Sequence, residues 1–117
     1  MPLENDAKNL RDSARTLDSN SRNQTRPVGQ KRANPWGLHD MIGNVWEWCA
    51  DVWHSDYEGA PQDGSSWIKG AENQPRSCVR GGAWDMNAFR CRSCYRNFDH
   101  RSVATSRLGF RIVMAVE

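Results

Sequence analysis

A chain of 117 residues, 38% apolar and 26% charged, suits one small domain and excludes two. A net charge of +2 is too small for bulk electrostatics to name a partner, and no apolar run is long enough to span a membrane. Cys49, Cys78, Cys91 and Cys94 are too few for a disulfide scaffold, and Cys91 and Cys94 form a lone C-x-x-C without the second pair a zinc site would need.

Residues 1–26 are polar and carry no aromatic side chain. Ala7, Leu10, Ala14 and Leu17 recur at helical spacing behind Asn5 and Asp6, which can cap; this predicts a short helix, with a disordered or extended arm as the competing reading. The start, Met1-Pro2-Leu3-Glu4-Asn5-Asp6, holds no apolar signal-peptide core, so synthesis in the cytoplasm is expected. The folded domain is expected over 27–117, behind this arm.

Pro27, Gly29, Pro35 and Gly37 punctuate a connector. Val45 to Cys49 then suits a strand, with Trp46 and Trp48 on one face and Val45, Glu47 and Cys49 on the other. Residues 54–75 read as loop. Ser77 to Arg80 predicts a short strand stopped by Gly81-Gly82. Leu108, Phe110, Ile112 and Met114 alternate with Gly109, Arg111, Val113 and Ala115, which predicts a closing strand over 108–115. Between these two strands, Ala83 to Arg107 has little periodicity, and long irregular loops inside small domains tend to be functional.

Charge is unevenly placed. Six acidic residues and no Lys or Arg occupy Asn34 to Asp63, whereas Arg76 to Arg111 holds eight arginines against Asp85 and Asp99. Such blocks are expected to be stitched together by Arg–carboxylate pairs inside the fold. A polyanion-binding stripe ranks second. Arginines near Phe89, Tyr95 and Phe98 could stack on bases, but the small net charge argues against nucleic acid as the partner.

Three ordered blocks carry a family resemblance. Pro27-Val28-Gly29-Gln30-Lys31 precedes Asn34-Pro35-Trp36-Gly37-Leu38-His39-Asp40-Met41; Gly43-Asn44-Val45-Trp46-Glu47-Trp48-Cys49-Ala50-Asp51 follows. The third opens with Val79-Arg80-Gly81-Gly82-Ala83-Trp84, passes Cys91-Arg92-Ser93-Cys94-Tyr95-Arg96 and ends in Leu108-Gly109-Phe110-Arg111. Together they resemble the C-terminal half of the formylglycine-generating-enzyme (sulfatase-modifying factor) domain. The resemblance implies an α+β, C-type-lectin-like fold, irregular, with a small antiparallel sheet and long loops. It also implies that another polypeptide, or a second copy, covers apolar surface where the N-terminal half would sit.

By the same resemblance a calcium ion would be held by Asp40, the carbonyls of Gly43 and Val45, and Glu47, hard oxygens that waters could complete to six or eight. The competing reading has Asp40 capping a turn and Glu47 paired with a family arginine. Catalytic relatives carry a copper-binding cysteine pair shortly after R-G-G; here Ala83-Trp84-Asp85-Met86-Asn87-Ala88 follow, so no copper is expected.

The framework from Arg80 to Arg111 also resembles the variable proteins of diversity-generating retroelements, departing at Ala83 and Cys94. Asparagine codons randomised at adenine cannot encode Lys, Glu, Gln, Trp or Met, and between Asp85 and Arg107 only Met86 is of these types. The expected function is therefore non-catalytic binding of a macromolecular or cell-surface ligand, most naturally a protein. Asp85, Met86, Asn87, Phe89, Tyr95, Asn97, Phe98, Asp99 and His100 would form the variable surface, mixing aromatic anchors with short polar groups. Arg92, Arg96 and Arg111 would be buried framework. The alternative is an oxidoreductase fragment or subunit of the formylglycine-generating type that needs another chain.

Overall fold

The structure is a computed structural model that describes residues 12–17, 21 and 23–116. Six strands are assigned among them: β1 (Ala14–Arg15), β2 (Ile42–Gly43), β3 (Trp46–Val52), β4 (Arg76–Arg80), β5 (Arg96–His100) and β6 (Leu108–Gly109). A four-stranded sheet has the order β5-β4-β3-β6, and β1 pairs with β2 in a separate two-stranded ladder. Strands β3, β4 and β5 are antiparallel neighbours, while β6 joins β3 in parallel. This is the irregular α+β architecture with a small sheet and long loops, except that its last pairing is parallel.

Trp46 organises the interior. It is 4% exposed and packs with Val79 and Ala83, while Trp48, Met86, Tyr95 and Leu108 pack around that cluster. An indole contributes roughly 150–250 Å² of buried area, so Trp46 alone stabilises the sheet by an upper estimate of about 4–6 kcal/mol. Strand β3 continues past the expected end at Cys49 to Val52, and its register against β4 shifts between Trp48 and Val52.

The N-terminal arm is corrected by its described part. Ala14 and Thr16 are fully buried, and Ala14–Arg15 is extended, paired in parallel with Ile42–Gly43. Arg15 accepts from the Asn44 N–H at 2.7 Å, and Leu17 donates to the Met86 carbonyl at 3.0 Å. Of the two readings of the arm, a short helix or an extended segment, Asp12–Ser13 is helical and Ala14–Arg15 is extended strand. Ala7 and Leu10, the first half of that helical pattern, lie outside the described residues.

The closing strand is also corrected. Only Leu108–Gly109 pairs, and Phe110, Ile112 and Met114 are 76%, 89% and 84% exposed. Alternation makes a strand only where one face can be buried, and no described residue covers this one. Conversely, β5 formed where no periodicity had pointed to a strand.

Candidate functional site

Two regions gather the residues of interest. The first begins at the turn from Asp40 to Asn44. Asp40, Gly43 and Asn44 all have left-handed backbone, with φ of 55°, 79° and 67°. Asn tolerates that region better than most residues because its short polar side chain bonds locally. Here Asn44 acts as a hub: its Oδ1 accepts from the Arg26 N–H at 2.9 Å and its carbonyl from the Trp84 N–H at 2.9 Å. Gly43 admits no side chain, since a Cβ would lie 2.1 Å from the Arg15 carbonyl oxygen.

The Asp40 carboxylate, 7% exposed, accepts from the Gly29 N–H at 2.7 Å. Glu47, on β3, binds Arg111 through both oxygens: Nε to Oε2 is 2.7 Å and Nη2 to Oε1 is 2.6 Å. The same Nη2 reaches the carbonyls of His39 and Asp40 at 3.0 Å each. Arg111 thereby ties the segment after β6 to β3 and to the turn before β2, and the Glu47 hydrogen bonds raise its pKa above the ordinary guanidinium value. A cavity of about 380 Å³ is lined by Asp40, Gly43, Val45 and Glu47, together with Val28, His39, Phe110 and Arg111.

All four residues assigned to calcium thus border one cavity, and their oxygens are of the hard type that calcium takes. One Asp40 oxygen remains without a protein donor among the described residues. The Arg111 guanidinium already neutralises Glu47, so a cation here shares that carboxylate with a fixed positive charge. The donor atoms are of the type calcium takes, but both Glu47 oxygens are engaged by Arg111, and no group of three or more His, Cys, Asp or Glu side chains that could hold a metal ion is found among the described residues.

The second region is the segment from Gly82 to His100. Gly82, at φ 76°, lies against Cys91, whose Sγ would be 2.2 Å from any Cβ there. From this anchor the chain passes Asp85, which pairs with Arg107, then a 3₁₀ turn (Ala88–Cys91) capped by the Asn87 side chain on the Arg90 N–H at 3.2 Å. Phe89 is 63% exposed, stacked under Arg92 and edge-on to Tyr95. Arg92 is itself exposed, bonding the Phe89 carbonyl, so it is not buried framework; its ring stack, and not enclosure, holds it.

Met86 and Tyr95 pack against the Trp46 cluster, so these two serve the core. Asn97, Phe98, Asp99 and His100 lie on the edge strand β5, where alternation puts Asn97 and Asp99 on one face and Phe98 and His100 on the other. They share no single patch. Phe98 packs tilted against Trp53 with ring centres 4.7 Å apart, and Arg96 lies over Trp53 and Tyr57 at 4.8 and 4.3 Å while donating to the His54 carbonyl at 2.9 Å. Sequence reasoning missed this cluster because Tyr57 sits in what reads as loop and Trp53 lies past the strand expected over Val45 to Cys49.

The thiols divide by environment. Burial raises the pKa of Cys49 and of Cys78, Cys91 is buried and Cys94 is exposed. Cys91 and Cys94 therefore do not present a matched pair to solvent.

Residues 3–116 match the family described as "Sulfatase-modifying factor enzyme 1-like domain". The chain belongs to this sulfatase-modifying factor family. Among relatives, it is 33% identical over 93 residues to the serine/threonine-protein kinase pkn1 of Chlamydia caviae, covering 80% of this chain and 15% of that protein. Among solved structures it is similar to PvdO from Pseudomonas aeruginosa, with 39% identity, a TM-score of 0.78 and coverage of 86% of this chain and 38% of that one. It is also similar to Treponema denticola variable protein 1, with 33% identity, a TM-score of 0.74 and coverage of 88% and 36%. The chain thus spans well under half the length of each. Within the sulfatase-modifying factor domain, the Glu47–Arg111 tie joins two of the three sequence blocks that carry the resemblance, and the Gly82–Cys91 contact lies within the third.

Proposed function

We infer that this chain is a non-catalytic binding module that presents part of the segment 85–100 on a C-type-lectin-like scaffold. One observation carries the reading: the segment is pinned at Gly82, Asp85 and Arg96, yet Asn87, Phe89 and His100 between and beyond those points are exposed. Met86 and Tyr95 drop out of the presenting set, because packing constrains them. The ligand class is a macromolecule, with a cell-surface protein as the leading form, since exposed aromatic and short polar groups together make adaptable contacts. Similarity to a variable protein supports this reading over an oxidoreductase fragment completed by another chain.

Calcium enters as a structural ion. Asp40 and Glu47 would hold it with the carbonyls of Gly43 and Val45, and it would clamp the turn before β3. The apolar surface around Val28, Met41, Phe110 and Val113 receives the polypeptide that makes up the rest of the domain in the solved relatives, which run well beyond the matched region.

The test of the binding reading has two arms. The genomic neighbourhood should hold a reverse transcriptase and a near-identical repeat of the region encoding 80–111. Substituting Phe89 and His100 should shift stability by no more than roughly 0.5 kcal/mol each, and Asn87, which caps the 3₁₀ turn, by up to about 1 kcal/mol. Formylglycine production from a cysteine-containing sulfatase peptide, lost on mutating Cys91 or Cys94, would sink it in favour of the enzyme reading.

A further inference from the structure

The arginines from Arg76 to Arg111 were expected to find counter-charges in the acidic block 34–63, and only Arg111 does so, on Glu47. Arg107 pairs with Asp85. Among the described residues, the other six have no carboxylate oxygen within 4.0 Å.

Three of those six share one face of the sheet. The β4–β5 register sets Arg76 opposite His100, Cys78 opposite Phe98 and Arg80 opposite Arg96, and directly opposite residues project to the same side. Aromatic rings fill the space between the cations: Arg76 lies over Phe98 at 4.6 Å, and Arg96 lies over both Trp53 and Tyr57. A guanidinium with its flat face on a ring keeps its in-plane N–H groups for an acceptor. Arg96 spends one on the His54 carbonyl, Arg76 one on Gln74, and Arg80 two, on the Ser93 carbonyl and the Tyr57 hydroxyl. Each guanidinium has five donors, so most are left over. Nearby acids are otherwise engaged or turned away: Glu47, directly opposite Arg80 on β3, is held through both oxygens by Arg111, Asp51 accepts from the Trp67 N–H, Asp56 from the Glu58 N–H, and Asp99 faces the opposite side of β5.

We propose that this Arg76–Arg80–Arg96 face binds an acidic polypeptide segment in extended conformation. Arg76 and Arg80 are four residues apart on one strand, about 13 Å at ~3.3 Å per residue. An extended peptide repeats its same-side groups with the same rise, so carboxylates two or four residues apart fall in step with the cations. Planar forks of this kind hold carboxylates bidentately. Nucleic acid fits less well, because a ring or guanidinium already sits against Trp53, Tyr57 and Phe98 and the net charge is only +2, although Tyr57 stays 59% exposed. Strand addition to β5 is also disfavoured: the N–H groups of Phe98 and His100 are taken by the side chains of Asn97 and Asp99 at 2.8 and 2.9 Å. The peptide therefore lies across the face. The three arginines are scaffold positions, so this binding does not depend on the segment 85–100 being a variable surface.

The probe is a fluorescently labelled ten-residue oligo-glutamate, followed by anisotropy on the full chain. Binding should weaken as salt rises and fall about tenfold or more in the Arg76→Gln/Arg80→Gln double variant, while Arg32→Gln in the connector binds like wild type. Footprinting of the wild type with phenylglyoxal gives a second readout that needs no variant to fold: bound peptide should protect Arg76, Arg80 and Arg96 and leave Arg32 reactive. Unchanged affinity in a folded double variant, or absent protection, overturns the proposal. So does a single-stranded oligonucleotide or heparin fragment that displaces the peptide at tenfold lower concentration.

Discussion

Replacing Gly43 by alanine tests how the N-terminal segment is held. Two glycines have nearly the same backbone, Gly29 at φ 77° and Gly43 at φ 79°, but different surroundings. A Cβ on Gly29 meets nothing within 4 Å, whereas on Gly43 it meets the Arg15 oxygen at 2.1 Å and the Arg15 carbon at 2.5 Å. Both substitutions incur the left-handed penalty, about 1–2 kcal/mol. Only Gly43→Ala must also move backbone. Shifting Arg15 breaks the Asn44–Arg15 hydrogen bond and lifts Ala14 and Thr16 from the positions where they are fully buried. The overlap is worth roughly 1–3 kcal/mol and the hydrogen bond about 0.5–1.5 kcal/mol, so Gly43→Ala should destabilise by roughly 3–6 kcal/mol in all. The pair is compared by urea unfolding, with melting temperature as a second readout; the excess over Gly29→Ala should be roughly 5–20 °C. Two variants agreeing to within about 0.5 kcal/mol would refute the claim that β1 is packed against the Gly43 backbone.

Arg111→Ala should destabilise by roughly 1–3 kcal/mol, because the partly buried Glu47 carboxylate and two carbonyls lose their donor; Glu47→Gln should fall lower in that range, and both are read from urea melts. Chelator should lower the melting temperature of the wild type and leave Asp40→Ala unmoved, and an unmoved wild type removes the calcium proposal. Cys94 should react with a thiol reagent well ahead of Cys49 and Cys78, whose thiols burial protects. Since burial raises those two folded pKa values above the ordinary 9.0, their contribution is complete below that pH and declines above it, which Cys78→Ala should flatten in a stability–pH profile between roughly pH 8 and 10. Ile112→Glu with Met114→Glu should leave unfolding free energy within about 0.5 kcal/mol per site while reducing self-association in sedimentation.

What the sequence made legible follows from how local each signal was. Strand β3 could be read from alternation, with Trp46 and Trp48 on one face, and β4 from its short run and its stop at Gly81-Gly82; which face Trp46 buries was set by packing with Val79 and Ala83. The competing reading of Glu47 as an arginine partner was also available, and Arg111 fills that role. Strand β5 was not legible, since Arg96-Asn97-Phe98-Asp99-His100 is polar and gains its conformation by pairing with β4. In the N-terminal arm the sequence left helix and extended chain open, and pairing with the half-buried backbone of Ile42–Gly43 makes Ala14–Arg15 strand. The closing strand erred the other way, because its alternation describes a surface that a face outside the described residues would have to bury.

The arginines show why a site can hide inside a framework. Read as charges, they call for carboxylates, which the acidic block 34–63 would supply. Read as planar groups, they are satisfied by rings, and Trp53, Tyr57, Phe98 and Phe89 stand within about 5 Å of Arg96, Arg76 and Arg92. The second mode fixes each side chain without neutralising it, since a ring quadrupole offsets only part of a cation. A scaffold built this way is ordered and yet keeps unspent positive charge on one sheet face. Alternation on β5 sends Asn97 and Asp99 away from Arg96, Phe98 and His100, so of the segment 85–100 it is His100 that shares the arginine face, opposite Arg76, while Asn97 and Asp99 do not.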